Sequence, residues 1–288
     1  MILPVVRERL EPLLRQPGLE SALVELRTSG RHTAVSGLQD VAKALACAYV
    51  ASELRRPAFL IVDSNKRAEA IAETVRFFGN VFPSTLGGIA LLPAFDSLPW
   101  EARSPHADIL ERRAATLYRL AAGQLSLVIA PVQAALWRYR DFTDYFDLAR
   151  QLERDTEIGL EALIAHLGAV GYARTEMVEL PGQFAVRGGI IDAFSPEAPR
   201  PVRIELLGDT VESVREFDAR TQRSIAPVVR TLLLPLTEWS VPGEGTEPWN
   251  LPAYWGPKEN AGQNSLFELN ASSLKPLVFF DEPQAIRE

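Results

Sequence analysis

The sequence predicts an α/β fold: a parallel sheet covered by helices, with a smaller α+β domain inserted into it. Between about residues 31 and 130, helix-like segments alternate with short, continuous apolar runs, which is typical of parallel strands buried on both faces. Near Asp147 the pattern changes to short alternating segments broken by Gly, Pro and Asp, which indicates antiparallel strands. An apolar strand then returns at residues 273–283.

The elements of the first domain follow from hydrophobic periodicity. Helices are predicted at residues 41–54, 66–78 and 106–122, and apolar strands at 58–62, 89–93 and 125–130. The acids near residue 105 are interpreted as caps of the third helix, which places no catalytic pair there. We place this domain at residues 1–146 and expect a P-loop NTPase-like parallel sheet.

The second domain is placed at residues 147–237. One helix, at residues 158–171, is followed by the strand-like segments TEMVEL, GQFAVRG, GIIDAFSP, PVRIELLGD, VESVREFD and VVRTLLLPL. Residues 238–288 are interpreted as a Pro/Gly-rich loop, anchored by Trp249 and Trp255, and a return strand to the first domain. A sheet that stops so soon after this strand would be unfinished, so we expect a piece of a longer protein.

Composition excludes several classes of function. The 288 residues carry 30 basic and 37 acidic side chains, a net charge of −7, so non-specific duplex binding is not expected to be the main role. A lone cysteine, Cys47, cannot close an intramolecular disulfide, which favours a reducing, cytoplasmic compartment. No run approaches the roughly 20 apolar residues of a membrane span.

The stretch GLQDVAKA resembles a phosphate-binding loop that has lost its chemistry. Gly37 and Lys43 keep the spacing of GxxxxGK[ST], but Ala42 replaces the second glycine and Ala44 the metal-binding hydroxyl. Asp40 adds negative charge where a phosphate would bind. The spacing alone would be compatible with chance.

The terminal strand LVFFDE has the form of the acidic, metal-positioning motif of such a site, because its apolar run ends in Asp281 and Glu282. The loop and the acidic strand together indicate a nucleotide-hydrolase sheet with a degenerate site. The three histidines show no ligand spacing and no nucleophile elbow occurs, so we assign no catalytic residue, no metal and no cofactor.

The second domain offers a surface. Period-two alternation in residues 202–207 puts Arg203 and the apolar Leu207 on one polar strand face, and Arg187 ends the preceding strand at the pair Gly188–Gly189, interpreted as a bulge. Arginines beside an exposed apolar anchor are typical of a protein-binding hot spot.

The alternative for this surface is a solvated strand face. In that interpretation Arg187 and Arg203 pair with Asp192, Glu205 or Asp209 in weak surface salt bridges. If the surface instead binds a partner, Arg203→Glu is expected to abolish binding and to leave the Tm nearly unchanged, because an exposed strand residue contributes little to stability.

Two blocks carry a family resemblance: FDSLPWEARSPHADILERRAATLYRL and GQFAVRGGIIDAFSPEAPRPVRIELLGDTVESVREFDARTQRS. They resemble the N-terminal region of the bacterial transcription-repair coupling factors (Mfd), a region itself similar to the damage-verifying helicase UvrB. The degenerate loop and the short stretch between Pro93 and Arg112, with no room for the aromatic β-hairpin of UvrB, favour the coupling factors.

The resemblance implies a function in transcription-coupled nucleotide excision repair. The full protein would dislodge RNA polymerase stalled at a lesion by ATP-driven DNA translocation and recruit UvrA. This segment would be a non-enzymatic adaptor that binds UvrA through Arg187, Arg203 and Leu207, where the family usually has Phe at the third position. ATP and Mg²⁺ would belong to a C-terminal motor, and a C-terminal domain would mask the UvrA surface.

Two other functions stay open. One is a residual nucleotide or DNA binder that uses Lys43 and Asp281. The other is an intramolecular clamp that restrains the translocase.

Overall fold

A computed structural model describes residues 3–28, 33–81, 87–97, 105–137, 139–238, 265–266 and 276–284. The chain divides into two compact units. Unit 1 comprises Met1–Ala94, Ala122–Trp137 and Ser265–Glu288, and unit 2 comprises Phe95–Ala121 and Arg138–Asn264.

Unit 1 is built on a four-stranded parallel sheet. Its helices are α1 (Leu3–Leu14), α2 (Pro17–Thr28), α3 (Asp40–Leu54), α4 (Asn65–Val81) and α6 (Val132–Ala135). Its strands are β1 (Ala58–Val62), β2 (Gly88–Leu91), β3 (Leu125–Pro131) and β12 (Leu277–Phe280), in the order β12-β1-β3-β2. The predicted α/β class is confirmed.

The core of unit 1 explains why these segments fold as they do. Every residue of β1 is buried, as expected for an inner strand covered on both faces. Small residues of α3, such as Ala44 and Ala48, let that helix lie close to the sheet, and Ile71 and Val75 of α4 belong to the same core.

Strand β12 is the predicted return strand. It pairs in parallel with β1, in a register that sets Ala58 opposite Leu277 and Ile61 opposite Phe280. The backbone N–H of Asp281 continues this pairing by donating to the Ile61 carbonyl at 2.9 Å. The acids that follow β12 therefore lie at the carboxyl edge of the sheet.

Unit 2 contains a six-stranded and a two-stranded sheet. Its helices are α5 (Ala107–Ala121), α7 (Phe142–Leu148) and α8 (Leu160–Ala169). Strands β5 (Ala173–Arg174), β6 (Gln183–Arg187), β7 (Ile190–Ala193), β8 (Val202–Leu207), β9 (Thr210–Phe217) and β10 (Ser224–Pro227) form one sheet, and β4 (Arg150–Glu153) pairs with β11 (Arg230–Leu233). Neighbours are antiparallel except β5 and β6.

Unit 2 includes residues before the boundary expected at residue 147, because α5 belongs to it. Ala115 and Tyr118 of that helix form a cluster with Ala149 and Leu234. Periodicity predicts the helix and its apolar face, but not which core receives that face.

Two local predictions in unit 2 are wrong. The segment TEMVEL is not a strand: the amide side chain of Gln183 accepts hydrogen bonds from the backbone N–H groups of Glu179 and Leu180, which holds a loop. Gly188–Gly189 is a two-residue hairpin turn, since Arg187 pairs directly with Ile190. Gly188 has φ +61°, which suits glycine.

The described residues include no helix long and apolar enough to cross a membrane. Trp249 and Trp255 lie outside them, so their role as loop anchors stays a prediction.

Candidate functional site

One face of the six-stranded sheet carries the predicted binding residues. Strand register sets two rows of neighbours on this face: Ala185, Asp192, Arg203 and Arg215 form one row, and Arg187, Ile190, Glu205 and Ser213 form the other. We call the set Arg187, Asp192, Arg203, Leu207 and Arg215 the arginine face. The structure therefore brings all three predicted contact residues to one side of the sheet.

Arg203 is held by a buried carboxylate. Its Nε and Nη2 donate to the two oxygens of Asp192 at 2.7 and 2.8 Å, and its guanidinium lies 5.0 Å from the ring centre of Phe217. The exposed fractions of the two side chains are 18% for Arg203 and 3% for Asp192. The hydrogen bond to Asp192 raises the pKa of Arg203 above its ordinary value.

These contacts correct one interpretation of the sequence. The expected partner Asp192 is right, but the pair is not a weak surface salt bridge, because its carboxylate is buried and bound in bidentate geometry. Arg203 is therefore expected to contribute to the stability of unit 2.

Arg187 and Leu207 are exposed at the other end of this face. Arg187 donates through Nη2 to the carbonyl of Glu176 at 2.8 Å and has no carboxylate partner in the described part of the chain. Leu207 is 72% exposed, as the alternation predicts, and stands immediately before the turn residue Gly208, whose φ is +62°.

The turn after Leu207 is braced by a neighbouring segment. The backbone N–H of Ile158 donates to the Asp209 carbonyl at 2.7 Å, and Val211 donates to Thr156 at 2.9 Å. Leu207 is thus presented to solvent on a turn whose backbone is fixed, which lowers the entropy that binding would cost.

The second candidate site is a cluster of five charged residues in unit 1, which we call the charged cluster: Asp40, Lys43, Arg67, Asp281 and Glu282. Asp40 and Lys43 lie in the first turn of α3, Arg67 in the first turn of α4, and the two acids directly after β12. The sheet brings these segments together although they are far apart in sequence.

The charged cluster is closed by direct ion pairs. Lys43 Nζ contacts Asp281 Oδ1 at 2.7 Å and also contacts Glu282. Arg67 Nε donates to Asp281 Oδ2 at 2.7 Å, and its two terminal nitrogens bind Asp40 at 2.6 and 2.7 Å. Every charge in the set therefore has an opposite charge beside it.

The ion pairs decide the protonation of these groups. Burial raises the pKa of the Asp281 carboxyl, but hydrogen bonds from Arg67 and Lys43 outweigh it, so the pKa lies below its ordinary value. For Lys43 burial lowers the pKa, and its two acidic partners raise it above the ordinary value. The hydrogen bond from Arg67 lowers the pKa of Asp40. Asp40, Lys43 and Asp281 are therefore charged near neutral pH.

The other residues of the predicted loop lie before α3 or in its first turns, and the degenerate phosphate site stays a prediction. Gly37 has φ +79°, as glycine permits, while Ala44 is a fully buried helix residue where a P-loop has its metal-binding hydroxyl. Ala42 is partly buried in the first turn of α3. Among the described residues, no group of three or more His, Cys, Asp or Glu is arranged to hold a metal ion.

Sequence reasoning missed Arg67. It lies in the unremarkable stretch SNKRAEA, and its partner Asp281 is more than 200 positions away, so neither spacing nor composition gave a signal. Only the pairing of β12 with β1 brings Asp281 to the start of α4.

One part of the chain matches a described protein family. Residues 151–239, which lie in unit 2, match the family described as the UvrB interaction domain. The chain is also similar to UvrABC system protein B of Thermosipho africanus, with 26% identity over 236 residues, covering 78% of this chain and 35% of that protein.

Longer relatives are transcription-repair coupling factors. That of Myxococcus xanthus is 31% identical over 216 residues, covering 74% of this chain and 18% of the relative. That of Mycobacterium tuberculosis is 33% identical over 206 residues, covering 67% and 16%. The resemblance to this family is confirmed, and the chain spans less than a fifth of the length of these relatives.

Proposed function

We propose that this chain is an adaptor that binds UvrA through the arginine face and so recruits it to RNA polymerase stalled at DNA lesions, in transcription-coupled nucleotide excision repair. The match of residues 151–239 to the UvrB interaction domain supports the choice of partner. The similarity to transcription-repair coupling factors supports the pathway. We assign the binding function to residues 147–237 and contacts with polymerase and DNA to other parts of the whole protein.

The observation that carries the proposal is the geometry of Arg187, Arg203 and Leu207 on one face. Asp192 occupies Nε and Nη2 of Arg203, which fixes the guanidinium and leaves Nη1 for a further acceptor. Exposed Leu207 provides an apolar anchor. A pre-oriented arginine and an apolar side chain on a fixed backbone lose less entropy on binding than flexible ones, which favours a hot spot.

The test is a calorimetric titration of the chain with purified UvrA at two salt concentrations. We expect saturable binding that weakens with salt, and a loss of about tenfold in affinity for Leu207→Ala or Arg187→Gln. Leu136→Ala in unit 1 is a matched control, because Leu136 is also highly exposed, at 77%. No binding by the wild-type chain would contradict the proposal. Binding to the C-terminal part of the whole protein instead would favour the clamp.

We further propose that unit 1 is a P-loop NTPase-like domain that hydrolyses no nucleotide and needs no cofactor. Lys43 is occupied by two carboxylates, and Asp40 and Glu282 add negative charge where phosphates would bind. ATP and Mg²⁺ are then assigned to a motor elsewhere in the whole protein. ATP hydrolysis by the wild-type chain that Lys43→Ala abolishes would contradict this proposal. Binding of a fluorescent ATP analogue that Lys43→Ala abolishes would support the residual nucleotide binder.

A further inference from the structure

Arg215 is a cation on the arginine face that the sequence motifs do not single out. It lies on β9, directly opposite Arg203 of β8, and is exposed. None of the ion pairs in the part of the chain that the structure describes includes Arg215. Unlike Arg203, it therefore has no carboxylate within ion-pair distance among the residues that the structure describes.

The placement of Arg215 has a cost for the fold. Like charges at directly opposite positions of antiparallel strands destabilise the pair. Asp192 binds Arg203 through both carboxylate oxygens, and its ion pair among the described residues is with Arg203. The nearby acid Glu205 is the acceptor of the Ser213 hydroxyl at 2.7 Å. No side-chain hydrogen bond or ion pair of Arg215 is found among the described residues of unit 2.

The position of Arg215 extends the proposed binding surface. Adjacent strands lie about 4.8 Å apart, so Arg187 on β6, Arg203 on β8 and Arg215 on β9 span roughly 15 Å across the sheet. Leu207 lies roughly 13 Å along β8 from Arg203. The three cations and the apolar side chain therefore lie on one face of the sheet, within the reach of a single partner surface.

We infer that Arg215 is a further contact residue for the partner and binds a carboxylate on an acidic surface of that protein. The inference rests on the proposed UvrA-binding function. In this inference Asp192 holds Arg203 in place, whereas the unpaired charge of Arg215 is neutralised by the partner. The complementary surface has carboxylates spread over roughly 15 Å beside a pocket for Leu207.

The test compares Arg215→Gln, Arg215→Lys and a control, Arg230→Gln, by calorimetric titration with purified UvrA. Arg230 is also exposed and in unit 2, but lies in the two-stranded sheet. We expect Arg215→Gln to weaken binding about tenfold and to flatten the salt dependence, as loss of one charge-assisted contact would. Arg215→Lys should keep much of the affinity, and Arg230→Gln should bind within about twofold of wild type.

The possible outcomes distinguish a failure of this inference from a failure of the proposed UvrA-binding function. If wild type binds and Arg215→Gln binds equally well, the role of Arg215 is overturned and the proposed function stands. If Arg230→Gln weakens binding as much as Arg215→Gln, the effect is one of net charge, and the specific contact is overturned. If wild type does not bind UvrA, the proposed function itself fails, and this inference fails with it. Thermal unfolding of each variant shows whether a loss of affinity arises from loss of fold.

Discussion

The variant Arg203→Glu is expected to destabilise unit 2 strongly, because it breaks a pair in which one carboxylate is buried. The substitution removes two hydrogen bonds to Asp192 and sets a second carboxylate against it. It also removes the cation beside the Phe217 ring. Asp192, at 3% exposure, is then left without its ion-pair partner.

The magnitude follows from the exposure of the two side chains. Removing one partner of a buried ion pair costs about 3 to 5 kcal/mol. Arg203 is 18% exposed, so water can approach Asp192 in the variant, and we take the lower end, about 3 kcal/mol. For a unit of this size each kcal/mol lowers the Tm by about 2 to 4 °C, so we expect a decrease of about 6 to 12 °C.

The assay is thermal unfolding followed by circular dichroism, with Arg215→Gln as the control on the opposite strand position. The control is expected to change the Tm by less than about 2 °C, because Arg215 is exposed and unpaired. A double variant, Asp192→Leu with Arg203→Met, is expected to recover most of the loss by replacing the pair with apolar groups. A wild-type Tm for Arg203→Glu would refute the structural role of the pair.

Three further predictions concern the turn, the charged cluster and the apolar anchor. Gly188→Val is expected to lower the free energy of unfolding by about 1 to 3 kcal/mol, because the φ of +61° at this position strains a β-branched residue. The control Gly168→Ala in α8 should not lose stability, and equal denaturation midpoints for the two variants would disprove the prediction. Because the pKa of Asp281 is lowered in the fold, its stabilising effect is complete above its unfolded pKa of about 3.9 and is lost as pH falls through the folded pKa. Asp281→Asn should therefore be less stable at pH 7 and show a shallower acid dependence, and identical pH profiles would contradict the prediction. Leu207→Phe should bind UvrA about fivefold more tightly in calorimetry, because an aromatic ring buries more apolar area; weaker binding would indicate a pocket fitted to leucine.

Much of unit 1 could be predicted from the sequence because its strands are continuous apolar runs. The predicted strand at residues 58–62 coincides with β1, and the predicted helix at 41–54 differs from α3 by one residue. The return of the chain to the parallel sheet also follows from such a run. Strands β1 and β3 are buried on both faces, so their composition alone reveals them.

The charged partners could not be predicted in the same way. Whether Arg203 is a surface residue or half of a buried pair depends on the register of β8 with β7, which sets it opposite Asp192. Period-two alternation places both side chains on one face of the sheet, but it does not show what covers that face. Arg67 is a stronger case, because its contact with Asp281 exists only after a long-range strand pairing.

The discontinuity of unit 1 also has a consequence for the order in which a growing chain folds. On the ribosome, β1, β2 and β3 emerge early, but their neighbour β12 follows only after the chain between Pro131 and Leu277 has been made. At roughly 5 to 20 residues per second this delay is on the order of 10 s, long enough for unit 2 to fold first. During that interval one side of β1 is an unpaired strand edge, which is a known route to misassembly between nascent chains. The arrival of Asp281 would close that edge and complete the ion pairs of Lys43 and Arg67 in one step.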